Sequence, residues 1–441
     1  PALFSQICQT TERRFLAALL ILFVALSAQY TLKVLDVRDG KQERSAILRW
    51  RDQLLRLDDG EDIYKACNYP NPPIMALLLR PLADLPPLAG ALVWYYLKVG
   101  MALAAFGLCF RLAEQPGQPF PSWAKGLAVV LSLRPIVSDL THGNVNLLIL
   151  FLVVCGLATF RRGWDLIAGI ILALAVACKV TPALFLPYFV WKRAWRVLAG
   201  AGIGLALFLF VVPSCFLGWH ENATLLGSWV DQMIRPFLIG GIVTSEHPNQ
   251  SLPGLVHRLL TDSPSFSMYV NDVYKPTEYH NVLALGPRSA GWVVKLGMAI
   301  FAAAVVWSCR TPTRPRARTM LAAEYSLVVL GMLLFSERTW KHHAVTLVLP
   351  FAVICYVLSR PDIAGRLRVG LIWVLAAVQI ALAATSTGFL PDRWGKLGQV
   401  YGAYTWAFVV LAGAMIAILR SGQDNRLDGD DISVPAPAVG G

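Results

Sequence analysis

Long apolar runs separated by short polar clusters set the pattern of this chain. The runs lie near 15–33, 88–110, 123–138, 145–160, 165–179, 181–192, 197–217, 289–308, 320–335, 343–358, 369–387 and 403–419. Most approach the ~20 residues that carry a helix across a hydrocarbon core. Backbone groups in lipid must pair within their own segment, so the runs predict helices. A membrane barrel would need short alternating segments instead. The expectation is an all-α, polytopic transmembrane bundle of about twelve spans. Residues 1–420 form one membrane-embedded domain, and the polar segment 421–441 is expected to be a disordered cytoplasmic tail.

Two polar stretches between spans are long: 34–87 and 218–288. In the first, Ile47, Trp50, Leu54 and Leu55 recur at helical spacing, which predicts an amphipathic interfacial helix. A second short apolar piece, 76–87, is bracketed by prolines and too short to span. Between them Tyr69-Pro-Asn-Pro-Pro73 is held extended, because each proline fixes its own φ and biases its predecessor.

Composition agrees with a membrane protein. Of 441 residues only 15% are charged, against about 25% in a soluble chain, and mean hydropathy is +0.55. The net charge of +12 falls in short clusters between apolar runs, so it does not imply a nucleic-acid partner. Basic clusters mark cytoplasmic loops. With Arg13-Arg14 inside, alternation puts Arg161-Arg162, Lys192-Arg193, Arg310 to Arg318, Arg360 to Arg368 and Arg420 inside as well. Both termini are then cytoplasmic, in a plasma membrane, and the run after Arg14 is read as an anchor. All seven histidines fall on the opposite, extracytoplasmic face. The cysteines show no metal-ligand spacing, and no metal or cofactor is expected.

The polar groups of that outer face are the candidates for chemistry. Ser336-Glu-Arg-Thr-Trp340-Lys-His342-His343 stands at a membrane boundary, where ionisable groups are costly unless they meet water, each other or a ligand. Adjacent histidines on a helix point about 100° apart, which suits ligand hydrogen bonds better than one metal. Lys179-Val-Thr-Pro182 interrupts an apolar stretch; a cation there can stabilise a departing phosphate. His142-Gly-Asn144-Val-Asn146 heads a span with amides that could cap it or bind sugar hydroxyls. Asn249-Gln250-Ser-Leu-Pro-Gly lies just before Arg258, a candidate second phosphate ligand. The carboxylates Asp36, Asp39 and Glu43, just after the first span, are candidate general bases.

Taken together, these features resemble glycosyltransferase family 87, a polytopic family of the C-superfamily of glycosyltransferases. The matching residues are Gly60-x-Asp-Ile-Tyr64 then Tyr69-Pro-x-Pro-Pro, Gly143-Asn-Val-Asn-Leu-Leu, Lys179-x-Thr-Pro-Ala-Leu-Phe-Leu, Asn249-Gln-Ser-Leu-x-Gly-x-x-x-Arg258 and Trp340-x-His-His. The resemblance implies inverting transfer of a hexose, often mannose, from a polyprenyl-phosphate donor to a lipid or polysaccharide acceptor on the outer face. An acidic residue of the first outer loop would be the base. The family's Asp, about eighteen residues before the tyrosine equivalent to Tyr64, is replaced here by Ser45-Ala46, which leaves Glu43 or Asp39 as catalytic candidates. Substrate-binding candidates are Tyr69, Asn144, Asn146, Lys179, Asn249, Gln250, Arg258, Trp340, His342 and His343. The partners implied are a lipid-linked sugar donor, a glycolipid or glycan acceptor and membrane lipid. A transporter or lipid flippase, or an acyltransferase using His342 or His343 as base, are the alternatives. The former would show repeated halves and mid-span charges, and few of either are evident.

Overall fold

A computed structural model describes residues 11–35, 45–270, 273–313, 318–386, 388 and 390–427. The helices, in order, are α1 (Thr11–Leu35), α2 (Ala46–Leu55), α3 (Ile63–Cys67), α4 (Pro73–Ala83), α5 (Pro87–Ala113), α6 (Ser122–His142), α7 (Asn146–Arg161), α8 (Asp165–Cys178) and α9 (Phe185–Trp191). There follow α10 (Trp195–Ala206), α11 (Val212–Leu217), α12 (Trp219–Trp229), α13 (Arg235–Leu238) and α14 (Leu252–Leu260). An antiparallel hairpin, β1 (Phe266–Val270) and β2 (Val273–Glu278), interrupts the helices. The chain ends with α15 (Pro287–Ser308), α16 (Arg318–Leu334), α17 (Val348–Leu358), α18 (Gly365–Ala383), α19 (Asp392–Val400) and α20 (Ala403–Leu427).

Among the described residues seven helical segments are long and apolar enough to cross a membrane. They differ sharply in what surrounds them. Segment 341–358, a 3₁₀ turn (Lys341–Leu347) leading into α17, is the centre of the bundle, with 83% of it buried. By contrast α1, α15 and α18 leave large apolar side chains such as Leu20, Trp292, Ile300, Trp373 and Ile380 more than half exposed. Such a surface suits lipid rather than water. The hairpin is the one departure from an all-α chain among the described residues, and it lies inside the long 218–288 stretch. Helix α20 continues past Ser421, where the polar tail was expected to begin, because a helix can propagate a turn or two beyond its apolar run.

Local sequence explains the joints. Asp62 caps α3 by accepting from the backbone N–H groups of Tyr64 and Lys65 at 3.1 and 3.3 Å. Burial alone would raise its pKa, but hydrogen bonds from Ser228 and Lys65 hold it below the usual carboxylate value. Ser251 caps α14 through Gly254 N at 3.2 Å, with proline in the first turn. Helices α8 and α10 approach with almost no side chain between them. A Cβ on Gly169, Gly200 or Gly204 would run into the partner helix, and Gly200 and Gly204 form a small-xxx-small stripe.

Loops from distant parts of the chain collect at two ends. At one end Arg161 donates to Arg111 O, Lys192 to Thr311 O at 2.6 Å, and Arg360 to Gln115 Oε1 at 2.7 Å. This end holds the basic clusters. The other end joins the start of α2, the α6–α7 turn, the α8–α9 junction, the 242–251 segment, the Trp340 turn and α19. Two ion pairs sit inside the bundle that the sequence pattern does not announce: Lys98–Asp139 at 3.6 Å and Lys192–Glu324 at 2.7 Å, both essentially closed to solvent.

Candidate active site

The α6–α7 turn is the pivot of the second end. Gly143 closes α6 with a left-handed φ of 66° and receives a hydrogen bond on its carbonyl from Trp94 Nε1 at 2.8 Å. A Cβ here would collide with Ser45 and the backbone of Ala46, so glycine is required on two counts. Asn144 follows. Its Oδ1 accepts from Val145 N at 2.7 Å, which turns its amide nitrogen toward His342 Nε2, 3.1 Å away. Asn146 then opens α7 and donates to Asp139 Oδ1 at 2.9 Å, while its own Oδ1 accepts from Lys179 Nζ at 2.5 Å. A polar chain Lys98–Asp139–Asn146–Lys179 thus runs from the bundle interior to the α8–α9 junction. Asp139 is fully buried, and its other oxygen accepts from Leu147 N at 3.4 Å, so it holds the α7 start as well as Asn146.

The Trp340 turn closes over this chain. His342 stacks on His142 with centroids 5.1 Å apart and meets His343 edge-on at 4.8 Å and 88°. Their near-perpendicular rings serve two separate cavities. His343 lines a narrow pocket with Asn146, Lys179, Thr181, Ser336 and Thr346. On the other side His342 lines a wider cleft of about 340 Å³ with Arg134, Ser138, His142, Trp340 and Lys341. Among the described residues neither cavity is lined by an Asp or a Glu.

Hydrogen bonds assign the imidazole tautomers. Trp340 N donates to His343 Nδ1 at 3.3 Å, so a neutral His343 carries its proton on Nε2 and offers a donor. Asn144 donates to His342 Nε2, which puts the proton of a neutral His342 on Nδ1. Neither nitrogen left over is an acceptor, which weighs against either histidine as a general base. His142 differs: its Nδ1 donates to Ser138 O at 2.7 Å and leaves Nε2 with a lone pair.

The sequence candidates therefore divide. Asn144, Asn146, Lys179, Trp340, His342 and His343 are brought together. Glu43 and Asp39 lie outside the described residues, as does Asp36; Ser45, two positions after Glu43, is seated against Gly143. Tyr69 is buried away from both cavities, packed edge-on to Trp50 at 5.7 Å, and burial raises its hydroxyl pKa.

Asn249, Gln250 and Arg258 do not face either cavity. Asn249 donates to Thr244 O and Glu337 O, both at 2.8 Å, and accepts from Thr339 N at 3.0 Å. Gln250 donates to His247 O and Gln399 O at 2.7 and 2.8 Å. Arg258, fully buried, spends its guanidinium on five backbone carbonyls: Val400, Ser245, Glu246, Asn249 and Gln399, at 2.7 to 3.2 Å. Desolvation lowers its pKa to about 10, so it stays charged at neutral pH. These three residues clamp the 242–251 segment to the Trp340 turn and to α19, replacing the ligand role expected of them with one of position. Replacing Arg258 by Leu is expected to cost about 3 kcal/mol or more, because the carbonyls lose their donors. A thermal melt in detergent should show the drop, and an unchanged melt would contradict the clamp.

Three residues of this end fall outside every motif, Asp139, Lys98 and Arg134, while Lys341 stood inside the Trp340 stretch without an assigned role. One signal for Arg134 was present. Arg134, Ser138 and His142 recur every four residues on an apolar helix, which puts them on one face, and all three line the wider cleft.

Known proteins resemble this chain over most of its length. A polyprenol-phosphate-mannose-dependent alpha-(1-2)-phosphatidylinositol mannoside mannosyltransferase of Mycolicibacterium smegmatis is 27% identical over 390 residues, covering 82% of this chain and 79% of the relative. The protein of the same description from Mycobacterium tuberculosis is 25% identical over 393 residues, covering 83% and 81%. Among solved structures, ArnT from Cupriavidus metallidurans in the apo state aligns with a TM-score of 0.42 at 12% identity, covering 92% of this chain and 78% of that one. Its form bound to undecaprenyl phosphate gives 0.38 at 14%, covering 95% and 81%. Residues 69–336, more than half of the chain, match glycosyltransferase family 87, and that stretch contains the α6–α7 turn, Lys179 and the Arg258 clamp: the chain belongs to this family.

Proposed function

We propose that this protein transfers a mannosyl group from a polyprenyl-phosphate donor to a glycolipid acceptor, at the extracytoplasmic face of the plasma membrane, with inversion. The observation that carries the reading is the narrow pocket. A lysine fixed by Asn146, a histidine presenting Nε2–H, and the hydroxyl-bearing Ser336, Thr181 and Thr346 converge there with no described carboxylate among them. That is a donor set for a phosphate. The two mannosyltransferase relatives, whose names specify polyprenol-phosphate-mannose dependence and a phosphatidylinositol mannoside acceptor, support the same donor and acceptor classes.

In the reaction, an acceptor hydroxyl attacks the anomeric carbon as the bond to the phosphate oxygen breaks. The hydroxyl proton passes to a carboxylate of the first outer loop, Glu43 or Asp39. The phosphate leaves carrying additional negative charge, which Lys179 and His343 stabilise where it develops. Ser45, the first described residue after that stretch, is seated against Gly143, which supports a base from this loop. Asn144, His342 and Trp340 face the sugar; the Trp ring offers a stacking surface. The Arg258 clamp holds the Trp340 turn in place beside the site. The basic clusters at the far end support placing that end, with both termini, in the cytoplasm.

The test is direct. Purified protein in proteoliposomes, given polyprenyl-phosphate mannose and a mannolipid acceptor, should yield a mannosylated product of anomeric configuration opposite to the donor's. Movement of the donor across the bilayer without covalent change would instead identify a flippase.

A further inference from the structure

The wider cleft has features that a donor-phosphate pocket at Lys179 does not explain. Two cations from different elements converge on one buried residue there. Lys341 Nζ donates to Thr385 O at 2.7 Å. Arg134 donates through Nη2 to Thr385 Oγ1 at 3.1 Å and through Nη1 to Leu382 O. No Asp or Glu lines the cleft among the described residues. Asp392, which Lys341 senses electrostatically, is itself paired with Lys396 at 2.6 Å.

Two like charges drawn to one point, with Asp392 already paired to Lys396, repel each other. Each also keeps donors in reserve, since a lysine has three N–H groups and an arginine five. The cleft adds a neutral hydroxyl to these: Tyr404, fully buried, lines it beside Thr385. A cavity walled by cations of one sign attracts an anion. The Trp340 turn stands between this cleft and the narrow pocket: His342 lines one and His343 the other.

We propose that the Arg134–Lys341 cleft is a second anion site, which holds the phosphodiester of the acceptor lipid while Lys179 holds the phosphate of the donor. This rests on the mannosyltransferase reading for the word acceptor, but not for the anion. The enzyme is thereby specific for anionic acceptors. His142 and His342, which line the same cleft, lie on the path between the bound phosphodiester and the sugar that receives the mannose.

Two measurements test it. First, transfer is compared on phosphatidylinositol mannoside and on neutral octyl mannoside, for the wild type, for Arg134→Gln/Lys341→Gln and for Arg134→Lys. The double variant should lose tenfold or more of its preference for the anionic acceptor. The loss should appear in KM for that acceptor rather than for the donor, and Arg134→Lys should retain most of the preference. An equal loss on both acceptors, or a change confined to donor KM, would overturn the assignment. Second, binding of glycerophosphoinositol to purified protein is measured by calorimetry, with inorganic phosphate as the comparison. Binding by the wild type that weakens tenfold or more in the double variant supports the site whether or not mannose is transferred. Absent binding, binding indifferent to the substitutions, or free phosphate held as tightly as the headgroup would overturn it. Protein that binds the headgroup yet transfers no mannose contradicts only the reading of the reaction.

Discussion

Changing Glu43 and Asp39 together to Gln and Asn is expected to lower mannosyl transfer by about 10²- to 10⁴-fold, the range for loss of a general base. The expectation follows from what the cavities lack. Neither is lined by a described carboxylate, and Asp139, the buried acid closest in sequence to the α6–α7 turn, is committed to Lys98, Asn146 and Leu147. His342 and His343 present protons rather than lone pairs at their remaining nitrogens. The base is then expected from outside these groups, among the acids of the loop that leads into Ser45. The single variants decide between the two acids, because only the true base should give the large fall in kcat with donor binding retained. If the double variant transfers mannose at the wild-type rate, the base assignment is wrong, and His142, with its available Nε2, becomes the residue to change next.

Replacing Lys179 by Gln is expected to reduce kcat by about 10²- to 10³-fold, as for removal of one group that stabilises a developing anion. Gln is neutral but one atom shorter than Lys; Lys179→Met, which keeps the length without the charge, should show the same loss if the loss reports the charge. Lys179→Arg should recover little, because the guanidinium is larger and planar where the pocket is narrow. Asn146→Ala should fall between wild type and Lys179→Gln, since it frees the lysine without removing it. A Lys179→Gln enzyme with unchanged kcat and a raised KM would mean that the lysine contributes equally to ground state and transition state.

The outline of the fold was legible because lipid imposes a simple rule on the backbone: long apolar runs become helices. The hairpin was not legible, since Phe266–Val270 and Val273–Glu278 are short and leave Met268, Val270, Val273 and Tyr274 exposed, so no alternation of polar and apolar faces marks them. Within the site, Lys179 and His342-His343 stood out because charge at a membrane boundary is costly. Asn249, Gln250 and Arg258 stood out through their motif, and there the side chains turn to backbone groups instead. Irregular backbone has carbonyls to satisfy, and a buried guanidinium satisfies five of them. Lys98 and Asp139 were missed because they are 41 residues apart and show their pairing only when α5 packs on α6. The four-residue recurrence of Arg134, Ser138 and His142 was there to be read, but the apolar run around it drew the eye first.

Whether the narrow pocket holds the donor phosphate is decided by a structure of the protein in nanodiscs with polyprenyl phosphate bound. The phosphate is expected within hydrogen-bond distance of Lys179 Nζ and His343 Nε2, with the lipid chain leaving between helices toward the bilayer. A phosphate bound at the basic end, beside Arg360 and Gln115, would contradict it.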